Sequence, residues 1–140
     1  MQKLSCALLV DDDKTTNYLN QMLLKRLDVA EKLLVALNGQ EALNLLKIHC
    51  HEATEACPML IFLDVKMPVM NGFEFLEIYA ELPLAQKQAI VIVVLTTSLH
   101  PQDVGRLEKL HIAGFINKPL TKEKIDDILR QHFNRHLPTN

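Results

Sequence analysis

Short apolar runs alternate along the chain with longer segments that carry an apolar residue every three or four positions, the pattern of strands alternating with helices. The runs predict strands over Cys6–Val10, Leu33–Leu37, Met59–Leu63, Ala89–Leu95 and Gly114–Ile116. Most of these are continuously apolar, as befits strands covered on both faces. The intervening segments predict helices over Thr15–Leu27, Gln40–His49, Gly72–Leu82, Pro101–Leu110 and Thr121–Phe133. In the first helix the inward stripe reads as Leu19, Met22, Leu23, the Arg26 stem and Leu27. Strict alternation implies right-handed crossovers, hence a doubly wound α/β fold with a parallel sheet between two helical layers. Asn38-Gly39 and Asn71-Gly72 read as turns, Pro101 suits a first helical turn and Thr121 a cap. His136 to Asn140 read as a frayed tail with no output domain attached, so residues 1–140 are taken as one domain with a core over about 5–134.

Composition adds limits. The 140 residues are 49% hydrophobic and 23% charged with a formal net charge of -2, the balance of an ordinary globular domain with no general attraction to nucleic acid or anionic lipid. No apolar run approaches the roughly 20 residues needed to cross a bilayer, and Met1 to Ala7 lacks a secretory pattern. With three cysteines, Cys6, Cys50 and Cys57, the chain reads as cytoplasmic. His49-Cys50-His51 with Cys57 offers zinc-type ligands, but the spacing matches no common finger, and a variable surface loop with incidental His and Cys is the plainer account.

In an open parallel sheet, ligands collect beyond the carboxyl ends of the strands. There the sequence is polar: Asp11-Asp12-Asp13 follow the first strand, Asp64 the third, Thr96-Thr97-Ser98 the fourth and Asn117-Lys118 the fifth. Carboxylates gathered at one edge repel unless a cation offsets them, and an all-oxygen set suits a hard ion such as Mg²⁺. An acceptor carboxylate, a metal, a lysine and a hydroxyl are the parts phosphoryl transfer requires. Taken singly, each has a plainer use: Asp12 or Asp13 as a helix cap, Asp64 as a turn residue, Lys118 as a solvated loop lysine and Thr96 as a cap. Their joint occurrence at four strand ends sets coincidence aside.

Four motifs in order, LLVDDD, IFLDVKMPVMNG, VVLTTS and GFINKPL, make the chain resemble the receiver domain of two-component response regulators over roughly Leu8 to Phe133. The resemblance implies a flavodoxin-like sheet in the order 2-1-3-4-5. It implies a single-domain response regulator, not an enzyme, that accepts a phosphoryl group on Asp64 from a histidine kinase or phosphotransfer protein. By the same resemblance Mg²⁺ is held by Asp11, Asp12, Asp64 and the backbone carbonyl of Lys66, while Asp13 is left as a cap. Thr96, Thr97 and Lys118 bind the phosphoryl group, Phe115 stands where many receivers carry a switching tyrosine, and Lys66 and Ser98 sit where lifetime is tuned. The Lys118-Pro119 bond is expected cis. The fourth helix, fifth strand and fifth helix are the expected partner face, although Lys122 to Asp127 is otherwise a solvated helix face. Two rivals are a hydrolase using Asp11 as nucleophile with Asp13 as acid, and a degenerate receiver acting only as a binding module.

Overall fold

In the computed structural model, which describes residues 3–50, 57–82, 90–97, 101–110, 112–135 and 137, strands and helices alternate as the pattern predicts. The order is β1 (Leu4–Val10), α1 (Lys14–Arg26), β2 (Ala30–Ala36), α2 (Gly39–His49), β3 (Leu60–Asp64), α3 (Gly72–Glu81), β4 (Val91–Thr96), α4 (Pro101–Glu108), β5 (Gly114–Asn117) and α5 (Lys122–Phe133). The five strands pair in parallel in the order β2-β1-β3-β4-β5.

Successive side chains of a strand point to opposite faces, so each central strand feeds two apolar layers. Leu8, Val10, Ile61, Leu63, Ile92 and Val94 pack with α2, α3 and α4 residues such as Leu43, Leu46, Phe73, Phe75 and Leu107. Ala7, Leu9, Leu60, Phe62, Val93 and Leu95 pack with Leu24 of α1 and Ile125, Ile128 and Leu129 of α5. Both faces are thereby dry, and the strand ends are left as the place where polar chemistry meets solvent.

Several expectations need correction. β2 begins three residues early, at Ala30, and stops before Leu37, because Glu31 and Lys32 lie exposed on an edge strand where an apolar run is not required. The inward face of α1 is not the Leu19–Met22 stripe: Leu19 and Met22 are 58% and 51% exposed. Asn17 and Leu24, two helical turns apart, are the buried positions, with Leu23 and Leu27 packed beside them. The helix is turned so that Asn17 reaches the end of β1.

Asn38 and Asn71 are helix caps, not turn residues, each accepting from the amide three residues on at 2.9 Å. The glycine after each permits close approach: a Cβ on Gly39 would lie 2.8 Å from Met70 Cγ, and one on Gly72 2.6 Å from the Asp64 carbonyl oxygen.

The tail also departs from its expectation. Asn134 ends α5 in the left-handed region with φ 52°. Leu137 then folds back with only 3% exposure, its N–H donating to Asp126 Oδ1 at 2.8 Å. Residues 136 and 138–140 lie outside the described set. Cys50 and Cys57 are likewise not incidental surface groups: both are buried and joined as a disulfide, Cα–Cα 4.7 Å, between the end of α2 and the approach to β3. Sulfurs in that bond are not thiolate ligands, so the zinc reading is set aside. His51 and Ala89 lie outside the described residues, and Cys6 is a buried free thiol in β1.

Candidate functional site

Each central strand delivers one polar group to the carboxyl edge of the sheet. Asp11 immediately follows β1 and is 4% exposed, Asp64 ends β3 at 9%, and Thr96 ends β4 at 6%. Asp12 is exposed beside Asp11, and the carboxylate oxygens of Asp11, Asp12 and Asp64 lie within 4.8 Å of one another. Lys118 directly follows β5 and is joined to Pro119 by a cis peptide bond. Its own amide donates to the Thr96 carbonyl at 2.8 Å, which holds the ends of β4 and β5 level.

The electrostatics centre on Lys118. Its Nζ donates to Asp11 Oδ2 at 2.7 Å and stands 3.4 Å from Asp64 Oδ1. Burial alone would lower the ammonium's pKa, but the hydrogen bond to Asp11 and the charges of Asp64 and Asp11 outweigh it and hold Lys118 above its ordinary value. For Asp64, burial first and the Asp11 charge second raise the carboxyl above the usual range, against the opposing Lys118 charge and the Val65 N–H, which donates to Asp64 Oδ1 at 2.9 Å. One ammonium thus serves a cluster of three carboxylates, and the charge it leaves over favours a bound cation. The donor set is entirely oxygen, which fits Mg²⁺ or a similar hard ion.

Asp13 does what its position as a cap requires. Its side chain accepts from the Thr15 and Thr16 amides at 2.9 and 3.3 Å, and these bonds hold its carboxyl below the ordinary value, the Thr16 contacts foremost. That use takes it out of the cluster.

The flanking residues fall in two groups. Lys66 is exposed and, with Asp12, Pro68, Phe73 and Arg106, lines an open cleft of about 560 Å³ beside the carboxylates. Arg106 crosses it from α4, stacking 4.4 Å from the Phe73 ring centre and donating to Glu77 Oε1 at 2.9 Å. Thr97 is exposed next to Thr96, Phe115 is 42% exposed on β5, and Ser98 lies outside the described residues.

Two participants escaped the sequence reading. Asn17 Nδ2 donates to the Asp11 carbonyl at 2.8 Å. Lys124, assigned to a solvated face, donates through Nζ to the carbonyls of Asn117 and Pro119 at 2.7 and 2.9 Å, clamping the loop on either side of Lys118. Neither was legible from periodicity, because each acts on a backbone carbonyl that carries no residue-specific signal.

Comparison with known proteins agrees with this geometry. The model of the response regulator receiver domain matches residues 7–130. Response regulator Rcp1 of Synechocystis sp. is 32% identical over 111 residues, covering 79% of this chain and 74% of the relative. Among solved structures, a two-component response regulator from Cytophaga hutchinsonii superimposes with TM-score 0.83 at 26% identity, covering 96% of this chain and all of that one. The Mn²⁺-bound form of response regulator Rcp1 gives TM-score 0.73 at 28% identity, covering 96% and 99%. Receiver domains bind Mg²⁺ at an acidic pocket, interact with histidine kinases and phosphotransfer proteins, and are generally not enzymes. Among the described residues no helix is long and apolar enough to cross a membrane. With the motifs, the sheet order and the carboxylate cluster in agreement, the chain belongs to the response regulator receiver domain family.

Proposed function

We propose that this protein is a single-domain response regulator of a two-component phosphorelay, cytoplasmic, whose phospho-acceptor is Asp64. The observation that carries the reading is the ammonium of Lys118 set 2.7 Å from Asp11 and 3.4 Å from Asp64 at the edge of a three-carboxylate cluster. Asp64 is the one carboxylate of the three that ends a strand of the buried sheet, so its backbone is held while its oxygens face the cluster.

Asp11, Asp12, Asp64 and the carbonyl of Lys66 would hold the Mg²⁺. When bound, the ion supplies positive charge that lowers repulsion among the carboxylates and toward an incoming phosphoryl group. An Asp64 oxygen attacks phosphorus in line; the new O–P bond forms as the N–P bond of a phosphohistidine, or the O–P bond of an acyl phosphate, breaks. The leaving group takes the electron pair. No proton needs removal from Asp64, which must be ionised to act.

The acyl phosphate brings about two additional negative charges to the acceptor position. Lys118 and the Thr96 hydroxyl interact with those charges in the phosphorylated state only, and this difference shifts the balance between two conformations. Thr97 and Phe115 belong to the same switch, and Lys66 and Ser98 set how long the acyl phosphate lasts. The partner face is that of α4, β5 and α5, where Phe115 is exposed; the donor is a histidine kinase or phosphotransfer protein. Disulfides are rare in the cytoplasm, so the Cys50–Cys57 bridge is the feature that weighs against that compartment, while the burial of both residues slows thiolate attack on it.

Intact mass after incubation with acetyl phosphate tests the reading. One phosphoryl group is expected on the wild type in Mg²⁺, and none in a chelator or on Asp64→Asn. Equal modification of Asp64→Asn overturns it.

A further inference from the structure

We infer that Asn17 is a positioning residue for the metal-binding end of the site, fixing the backbone of Asp11 so that the Asp11 and Asp12 carboxylates are presented together. The inference rests on the reading of Asp11 and Asp12 as cation ligands. Its basis is the way the two peptide groups around Asp11 are held. The Asp11 N–H donates to the Ala36 carbonyl at the end of β2 at 3.1 Å. The Asp11 carbonyl accepts from Asn17 Nδ2 on α1 at 2.8 Å. A third bond, from the Asp13 amide to Asp11 Oδ1 at 2.9 Å, orients the side chain itself. The peptide leading from Asp11 to Asp12 is therefore anchored from α1 through the Asn17 side chain.

A packing role does not account for this asparagine. It is 3% exposed, and its Oδ1 is buried with no hydrogen-bond partner among the described residues. Burying an amide carries a desolvation cost that an apolar residue would not. Leucine has the same branched side-chain skeleton, though a larger volume, and a better helical preference, and on this face of α1 it would join Leu24 in the apolar layer. What leucine cannot do is donate to the Asp11 carbonyl. Groups that orient metal ligands without touching the metal typically change its affinity by about 10- to 100-fold when removed.

The two roles separate in one experiment. Wild type, Asn17→Leu and Asn17→Ala are titrated with MgCl₂ alone, followed by amide chemical shifts, and their melting temperatures are measured in a chelator. The expected result is a Mg²⁺ dissociation constant raised about tenfold or more in both variants, although their metal-free melting temperatures differ: both leave the Asp11 carbonyl without its donor, but leucine refills the apolar layer and alanine does not. A wild-type dissociation constant in a folded variant overturns the inference, as does a loss of affinity confined to the less stable variant. If Asn17→Leu does not fold, Asn17→Ala is judged by the same two readings. Failure of the wild type itself to bind Mg²⁺ overturns the metal reading and this inference with it, whereas a binding wild type with unaffected variants removes Asn17 alone.

Discussion

Lys118 is nearer to Asp11 than to Asp64: its Nζ is 2.7 Å from Asp11 Oδ2 and 3.4 Å from Asp64 Oδ1. The lysine is thus engaged chiefly by Asp11 and, on the proposed reading, would compete with a cation for it. Lys118→Ala is therefore expected to tighten Mg²⁺ binding by roughly fivefold, the equivalent of about 1 kcal/mol of relieved competition. The same variant is expected to be phosphorylated more slowly, because the group that meets the incoming charge is gone. A titration showing weaker Mg²⁺ binding in Lys118→Ala would contradict this division of labour.

Asp64 is held above its ordinary pKa by burial and by the Asp11 charge. The folded state thus binds its proton more tightly than the unfolded state, so the ionised carboxylate destabilises the metal-free fold at neutral pH. That penalty is present in full above the folded pKa and is relieved as the pH falls through it toward the ordinary value of 3.8. In a chelator at neutral pH, Asp64→Asn is expected to be more stable than the wild type, with the gain shrinking as the pH is lowered. Mg²⁺ should then stabilise the wild type more than the variant. Thermal unfolding that finds the wild type the more stable of the two at neutral pH without metal sinks the argument.

Gly72 allows the first turn of α3 to rest on the backbone of Asp64 and Val65. Its amide donates to the Val65 carbonyl at 2.9 Å, and an added Cβ would meet the Asp64 carbonyl oxygen at 2.6 Å and Val65 Cα at 3.0 Å. Backbone atoms cannot step aside as a side chain can. Gly72→Ala is expected to cost about 1–3 kcal/mol by overpacking, although alanine is the better helix former. Denaturant melts showing no loss would mean that the approach is looser than described.

Val69 occupies the loop between Asp64 and α3 with φ 67° and 81% exposure. The bond from the Met70 amide to the Pro68 carbonyl, 2.7 Å, closes a three-residue turn around it. A β-branched residue is disfavoured at positive φ by about 1–2 kcal/mol, and asparagine tolerates that region better. Val69→Asn should therefore raise stability by about 1 kcal/mol, seen as a higher melting temperature; a lower one would show that the valine side chain contributes packing not evident here.

The alternation of elements was legible because each central strand is buried on both faces and so must be apolar throughout. The cluster was legible for a related reason: once Val10 and Leu63 end their apolar runs, a carboxylate directly afterwards is out of place unless something uses it. Exposure relaxes such rules. Glu31 and Lys32 hid the start of β2 because an edge strand tolerates charge. Leu19 and Met22 misled the reading of α1 because the buried face carries Leu24, with Leu23 and Leu27 beside it, together with Asn17, a polar residue that no apolar periodicity would place inside. Cys50 with Cys57, and Leu137 on Asp126, depend on where the chain returns in space. Their partners are set by the packed fold, which spacing along the sequence does not reveal.

The central claim is that Asp64 carries the phosphoryl group, and direct location of that group tests it. After reaction with acetyl phosphate in Mg²⁺, borohydride reduction converts an aspartyl phosphate to homoserine, and peptide mass mapping then finds the altered residue. The account predicts homoserine at position 64 and at no other aspartate. Homoserine at position 11 would support the hydrolase alternative and contradict the account, and an unmodified chain that also fails to bind Mg²⁺ would leave only a binding module.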